Sequence, residues 1–319
     1  MSVFEFLIVA AFLLDLLFGD PRWLPHPVRG MGLLAAASET VLRRVSALPL
    51  NIAGVFCVLV VVGCSAGAAV AVIYAAGLLH PYTGAVAGVL LLYSSFATKD
   101  LGDHAIAVCR ELDADDIGAA RQRVSYMVGR ETSQLSAEEV ALAATESVAE
   151  NTVDGVTAPL FYALLFGPVG AVAYKAVSTL DSSFGYRNER YREFGWASAK
   201  LDDLVNWLPA RLTVLTIAVA ALLQRLRFFD IFKAVRLGAR LHASPNAGYP
   251  ETAFAGALGV TLGGERSYGG IVQQAPLLGV RHAACSVETI RKSVHLMRLT
   301  AVLFLVLGIA LRVVLQHLG

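Results

Sequence analysis

The chain has 319 residues, of which 56% are hydrophobic and only 16% charged, and its formal net charge is +1. Mean hydropathy is +0.61. Soluble domains carry about 25% charged residues, so these values exclude an ordinary soluble domain, and near-neutrality excludes the basic field that nucleic-acid binding needs. A polytopic integral membrane protein remains, built as one domain over residues 1–319. Alternating strand patterns are sparse, so the predicted fold is all-α.

Crossing about 30 Å of hydrocarbon takes roughly 20 apolar residues. Taken in chain order, the stretches that meet this are 2–19, 52–79, 82–98 and 299–316. The first lacks a basic leader and a small-residue cleavage site, so it reads as a retained helix. It carries Asp15, which is costly in lipid and is expected to face protein or water. Leu79-His80-Pro81-Tyr82 makes a tight hairpin between the second and third spans. The loop 20–51 holds Arg22, Arg29, Arg43 and Arg44, and the main loop 99–155 holds Lys99, Arg110, Arg121, Arg123 and Arg130. The positive-inside rule puts both loops in the cytoplasm and the N-terminus outside. Cys57, Cys64, Cys109 and Cys285 form no CxxC pair and are expected to be reduced packing residues.

Within the main loop, Ser136-Ala-Glu-Glu139 has capping-box spacing, with Leu135 and Val140 placed as a hydrophobic staple. A helix is predicted from about 137 to 153, ending near Gly155. It carries Glu146, Glu150 and Asp154 at i, i+4 and i+8, one face of a helix. Like charges there repel, and a helix C-terminus disfavours carboxylates. A stripe of this kind needs something cationic against it. A hard-cation site is the functional reading, since Mg²⁺ is typically held by one or two carboxylates plus substrate phosphates; a solvated acidic face is the plain alternative.

After the stripe, 156–177 is apolar but interrupted by Gly167-Pro168-Val169-Gly170. Basic residues flank it on both sides, which predicts a re-entrant or broken helical segment; a plain crossing is the alternative. Further polar blocks have both a structural and a functional reading. Lys99, Asp103 and His104 stand at the exit of the third span, as anchors or as a site. Gly129-Arg130 could offer a guanidinium to phosphate or carboxylate. Lys175 lies near membrane depth with Asp181 as the expected partner. Arg187, Asn188 and Arg190 are interleaved with aromatics, suiting an interfacial belt or a flat anionic ligand. Asp202 and Asp203 allow a second cation or a polar helix start. His242-Ala-Ser244-Pro-Asn246 is a turn whose side chains could serve phosphate. No Gly-x-Ser-x-Gly elbow and no Gly-Lys-Ser/Thr occurs, so hydrolase and P-loop readings fail.

These blocks, in this order, resemble the CobD/CbiB family of cobalamin biosynthesis, the adenosylcobinamide-phosphate synthases. The resemblance rests on Asp20 to Gly30, Lys99-Asp-Leu, Gly129-Arg130, Glu146 to Gly155, Tyr174 to Asp181, Gly185-Tyr-Arg-Asn188, Phe194 to Asp203, Pro209-Ala-Arg211-Leu-Thr213 and His242 to Pro250. Ser178 departs from the family's pattern, where Asn is expected, and so do Ser182-Ser183, where the second residue is expected to be bulkier.

The resemblance implies an ATP- and Mg²⁺-dependent ligase of the inner membrane. Such enzymes join aminopropanol, or its phosphate, to a propionate of adenosylcobyric acid. On that reading Arg130, Lys175, Asp181 and His242 are catalytic. Substrate or ATP would be held by Lys99, Asp103, His104, Arg187, Asn188, Arg190, Arg211, Ser244 and Asn246. Mg²⁺ would be held by Glu146, Glu150 and Asp154, with Asp202 and Asp203 for a second ion. The corrinoid, the amine and membrane lipid are the expected partners; a homo-oligomer and contacts with other pathway enzymes stay open. A corrinoid transporter or a non-catalytic scaffold is the alternative from another class.

Overall fold

The computed structural model describes residues 3–21, 26–45, 48–186, 188–280 and 282–318. Arg187, expected to bind substrate, lies outside them, as does Arg22. The protein is a largely helical membrane protein. Three helical stretches are long and apolar enough to cross a bilayer: Leu50–Leu79, Ala137–Phe184 and Val287–Leu318. The broken pair Trp196–Val205 and Trp207–Leu223 adds a fourth if it is one span. Contacts gather the chain into two compact units. The first comprises residues 1–97, 158–206 and 308–319, the second 98–157 and 207–307.

The first unit opens with α1 (Val3–Phe18), α2 (Pro27–Arg43), α3 (Leu50–Leu79) and α4 (Pro81–Tyr93). The α3–α4 hairpin forms as expected: the His80 ring accepts the Tyr82 N–H, and Pro81 starts the next helix, where its missing N–H costs nothing. The expected span 82–98 is corrected, because α4 has only 13 residues. At 1.5 Å per residue that covers about 20 Å. With 16 residues, α1 is short in the same way. Asp15 is 1% exposed, inside protein as its cost in lipid required.

The expected break is found in α8 (Ala158–Phe184), where Gly167 has φ +66° and Pro168 is the next residue. Only glycine adopts that conformation readily. The Tyr162 and Tyr174 rings stack with centroids 5.2 Å apart. Twelve residues of straight helix would separate them by about 18 Å, so the helix is sharply broken and bent back at Gly167. The next helix is α9 (Trp196–Val205), and Asn206 joins the Tyr174 hydroxyl at 2.8 Å to Asp202 at 3.0 Å. Met31, Ala35, Cys57, Val61, Leu180 and Phe194 form the buried core here.

The second unit contains α5 (Thr98–Asp113), α6 (Ile117–Ser125), α7 (Ala137–Asn151), α10 (Trp207–Leu223), α11 (Phe228–Gly238), α12 (Gly248–Leu258) and the first two-thirds of α13 (Val287–Leu318). The main loop is therefore mostly helix. The capping box closes as predicted, with the Ser136 hydroxyl accepting the Glu139 N–H and the Glu139 carboxylate accepting the Ser136 N–H at 2.7 Å. The predicted helix end near Gly155 is corrected. A π-helical stretch, Thr152–Thr157, carries the hydrogen bonding straight into α8. Asp154 therefore stands in this π-helical stretch rather than in α7.

The second unit also holds an antiparallel hairpin that the all-α expectation did not include: β1 (Thr261–Tyr268) and β2 (Ile271–Gly279), joined by Gly269-Gly270. Phe254, Leu262, Leu278 and Leu296 are buried in this unit. Cys57, Cys109 and Cys285 are buried, while Cys64 is exposed.

Candidate functional site

Glu146 is near the middle of α7 and is 6% exposed. The cation it needs is supplied by arginines. Arg130 Nη2 lies 2.9 Å from one carboxylate oxygen, and Arg266 Nη2 lies 3.1 Å from the other. The second oxygen also accepts the Gly263 N–H at 2.5 Å. Gly263 has φ +94° and stands at a register shift in β1. Such a bulge frees one backbone N–H from the ladder, and here that N–H turns to Glu146.

The loop before α7 is pinned to the hairpin. Glu131 N–H donates to Ser267 O at 2.8 Å, and the Glu131 carboxylate accepts the Ser267 hydroxyl and the Gly270 N–H, each at 2.8 Å. The Ser267 hydroxyl, then the Gly270 amide, hold that carboxyl below its usual range. The Ser147 hydroxyl, one residue past Glu146, donates to Met127 O at 2.9 Å. Arg130 and Arg266 are thus delivered to one point from two elements far apart in sequence.

Beside this triad lies a cavity of about 120 Å³, lined by residues 127–130 together with Glu146, Ser147, Glu150, Glu251, Arg266 and Tyr268. Three buried atoms here have no hydrogen-bond partner among the described residues: Arg130 Nε, Arg266 Nε and Glu251 Oε2. A native buried polar atom left unpaired costs free energy and calls for an explanation. Glu251 is 2% exposed. Burial above all, and then the charges of Glu150 and Glu146, push its carboxyl well above the usual range. Its other oxygen lies 3.5 Å from His242 Nε2. The Ser244 N–H donates to His242 Nδ1 at 3.0 Å, which leaves the ring proton on Nε2, facing Glu251. Burial lowers the His242 pKa, so the ring is neutral at pH 7.

Of the residues singled out in the sequence, Arg130, Glu146, Glu150 and His242 come together at this site. Their expected roles change in part. Glu146 has both oxygens engaged by arginine and does not fit Mg²⁺. Among the described residues no three His, Cys, Asp or Glu side chains gather as a metal cluster. Glu150 is the one acid of the stripe, other than Glu146, that lines the cavity. Asp154 does not line it.

The remaining residues are held elsewhere. Lys99 pairs with Asp103, and His104 Nδ1 is 3.4 Å from Asp100, all on α5. Arg211 stacks between Trp207 and Tyr249, 4.4 and 4.3 Å from the ring centroids, and donates to Asn246 Oδ1 at 3.3 Å. The Ser244 hydroxyl accepts the N–H groups of Asn246 and Ala247, which shapes the turn into α12. In the first unit, Asn188 accepts the Tyr191 N–H, and Arg190 pairs with Glu39 at 3.1 Å. Lys175 and Asp181 are on α8 of that unit; Asp203 is near enough for Asp181 to feel its charge, and it also lies 3.7 Å from Lys200.

Sequence reasoning missed Glu251 and Arg266. Glu251 comes directly after the singled-out block ending at Pro250, and only burial distinguishes it. Arg266 precedes Ser267-Tyr-Gly269-Gly270-Ile-Val, a Gly-Gly pair between β-formers, which is a hairpin signal.

A family model described as CobD/Cbib protein matches residues 8–297. The chain is 44% identical over 301 residues to the cobalamin biosynthesis protein CobD of Pelobacter propionicus, covering 94% of this chain and 93% of the relative. It is 47% identical over 272 residues to the protein of that name from Geobacter metallireducens, covering 85% of each. With the cobalamin biosynthesis protein CbiB of Salmonella arizonae it shares 42% over 307 residues, 95% of each chain. No solved structure matches.

Proposed function

The chain belongs to the CobD/CbiB family, and from that premise we propose that it serves cobalamin biosynthesis as an amide-forming ligase of the cytoplasmic membrane. The reaction joins aminopropanol, or its phosphate, to a propionate of adenosylcobyric acid at the expense of ATP. The observation that carries this reading is the cavity, where two buried guanidinium N–H donors and one buried carboxylate oxygen have no partner among the described residues. Such a set suits a ligand pair bearing an anion at one end and an ammonium at the other. A corrinoid ring is far too large for about 120 Å³. Its propionate arm, the short amine and the terminal phosphate of ATP meet there, which leaves the ring at the membrane surface.

The propionate oxygen attacks the terminal phosphorus of ATP; the bond to the ADP oxygen breaks, and an acyl phosphate forms. Arg130 and Arg266 hold the phosphoryl oxygens through the N–H groups they leave free, while Glu146 keeps both guanidiniums in place. Glu251, oriented by His242, takes the proton from the ammonium. The freed amine attacks the acyl carbon, the C–N bond forms as the C–O bond to phosphate breaks, and the phosphate leaves with the amine's second proton. A carboxylate whose pKa burial has raised is better matched to an amine proton than an exposed one. Mg²⁺ accompanying ATP would be held by Glu150 together with the nucleotide phosphates, and it would neutralise phosphate charge.

The test is amide formation by the purified full chain in detergent. ATP consumption coupled to amide formation separates a ligase from a corrinoid transporter or a scaffold. The Glu251→Gln variant should lose about 10²–10⁴-fold in kcat. The loss should shrink when the acceptor is an amine already neutral at the assay pH. An equal defect with both kinds of amine would remove Glu251 from proton transfer.

A further inference from the structure

The helix α11 has two unlike faces. Ile231, Ala234 and Gly238 are buried, packed towards α12, and the α12 residue Gly256 meets the backbone at Asp230 and Ile231 so closely that a Cβ there would overlap it. On the outer face Phe229 is 83% exposed and Phe232 45%, interleaved with exposed Lys233 and Arg236. Exposed Leu237, Arg240 and Leu241 extend that face. The one acid of α11, Asp230, is drawn aside by Arg227 at 3.6 Å and His282 at 3.2 Å.

The depth of this face is set by its neighbour. Outward-facing Leu215, Leu222 and Leu223 of α10 suit hydrocarbon surroundings, and only residues 224–227 separate Leu223 from Phe228. So α11 starts where the apolar surface stops. At the same level the Gln224 side chain donates to His295 O at 3.2 Å. Beside that bond runs an open groove of about 470 Å³, with Gln224, His295 and Arg298 as a polar rim and Leu299 and Val302 as an apolar floor. Asp103 lies 3.7 Å from one Arg298 nitrogen.

We propose that the outer face of α11 and this groove together seat anionic phospholipid. Phenylalanines beside lysine and arginine on a helix at the end of a span fit the boundary between acyl chains and headgroups. Lys233, Arg236 and Arg240 meet lipid phosphates. The groove takes one lipid, with its phosphate at Arg298 and an acyl chain along Leu299 and Val302.

Native mass spectrometry of the delipidated full chain tests this with phosphatidylglycerol and phosphatidylcholine as probes. Phosphatidylglycerol should be retained in preference, and inorganic phosphate should not displace it. Removing Lys233, Arg236 and Arg240 together as K233Q/R236Q/R240Q should weaken retention by roughly 5-fold per cation, with thermal unfolding in detergent unchanged. Hydrogen exchange of 228–241 in wild-type nanodiscs gives a readout free of mutation, and it should slow when phosphatidylglycerol is added. Equal retention of the two lipids would overturn the proposal. So would exchange that is indifferent to lipid charge, which would leave the face to a water-soluble partner.

Discussion

The two units bury charge differently. In the first, Glu5 is 0% exposed and accepts from Arg312 at 3.0 Å and Gln316 at 3.3 Å, while Arg312 also donates to Leu164 O at 2.7 Å. Glu39 is likewise met by Arg43 at 2.8 Å and Arg190 at 3.1 Å. In the second, Glu146 is equally well met, but the arginines that meet it keep Nε atoms with no partner, and Glu251 beside them keeps an oxygen. A buried charge whose neighbours are complete holds the fold. A buried charge whose neighbours are incomplete has binding capacity left over, and that difference singles out the second unit as the one with a candidate site.

The largest expected effect probes both kinds of site at once. Glu146→Ala strands two buried guanidiniums, and Glu5→Ala strands Arg312; each should cost about 3–5 kcal/mol in unfolding free energy. Only the Glu146 variant should also lose activity per folded molecule, measured on the fraction that survives gel filtration. The comparison breaks if both variants, once folded, are equally active.

A next, smaller effect sharpens the contrast. Arg130→Gln should lower kcat about 10²–10³-fold, the usual loss when one donor to a developing anion is removed. Arg312→Gln should leave kcat within about two-fold of wild type. Steady-state rates of amide formation measure both.

The mildest effect comes from pH. The Glu131 carboxyl is held below its ordinary value of 4.5 by Ser267 and Gly270, so its contribution is present above that value and is lost as pH falls through the lower folded one. The protection factor of the Gly270 amide, its exchange relative to the intrinsic rate at the same pH, should therefore fall in acid. In Glu131→Gln that protection factor should be low already at neutral pH and should not fall further in acid, whereas protection of α3 amides in the first unit should be unaffected.

Much of this was legible in the residues because it depends on neighbours in sequence. Ser136 and Glu139 are three apart, and their capping box forms as that spacing predicts. His80-Pro81 makes its hairpin, and Gly167-Pro168 breaks its helix, since φ preference and a missing N–H act locally. Reading the stripe at Glu146 as a place needing a cation was right in its electrostatics. That the cation is arginine was not legible, because Arg130 and Arg266 lie 16 residues before it and 120 after it, and no periodicity links them. The end of α7 was misplaced because Asp154 and Gly155 look like a terminus, whereas the backbone there keeps bonding through a π-helical stretch.

Composition and local pattern alone determined that this is a helical membrane protein, where its helices begin and bend, and which family it resembles, since hydropathy, caps and breakers act within a few residues. Tertiary structure alone decided that Glu251 and Arg266 stand beside Glu146, and that both Glu146 oxygens meet arginine. These are matters of desolvation and of which charges meet across the fold, and burial becomes a property of a residue only when distant segments close around it.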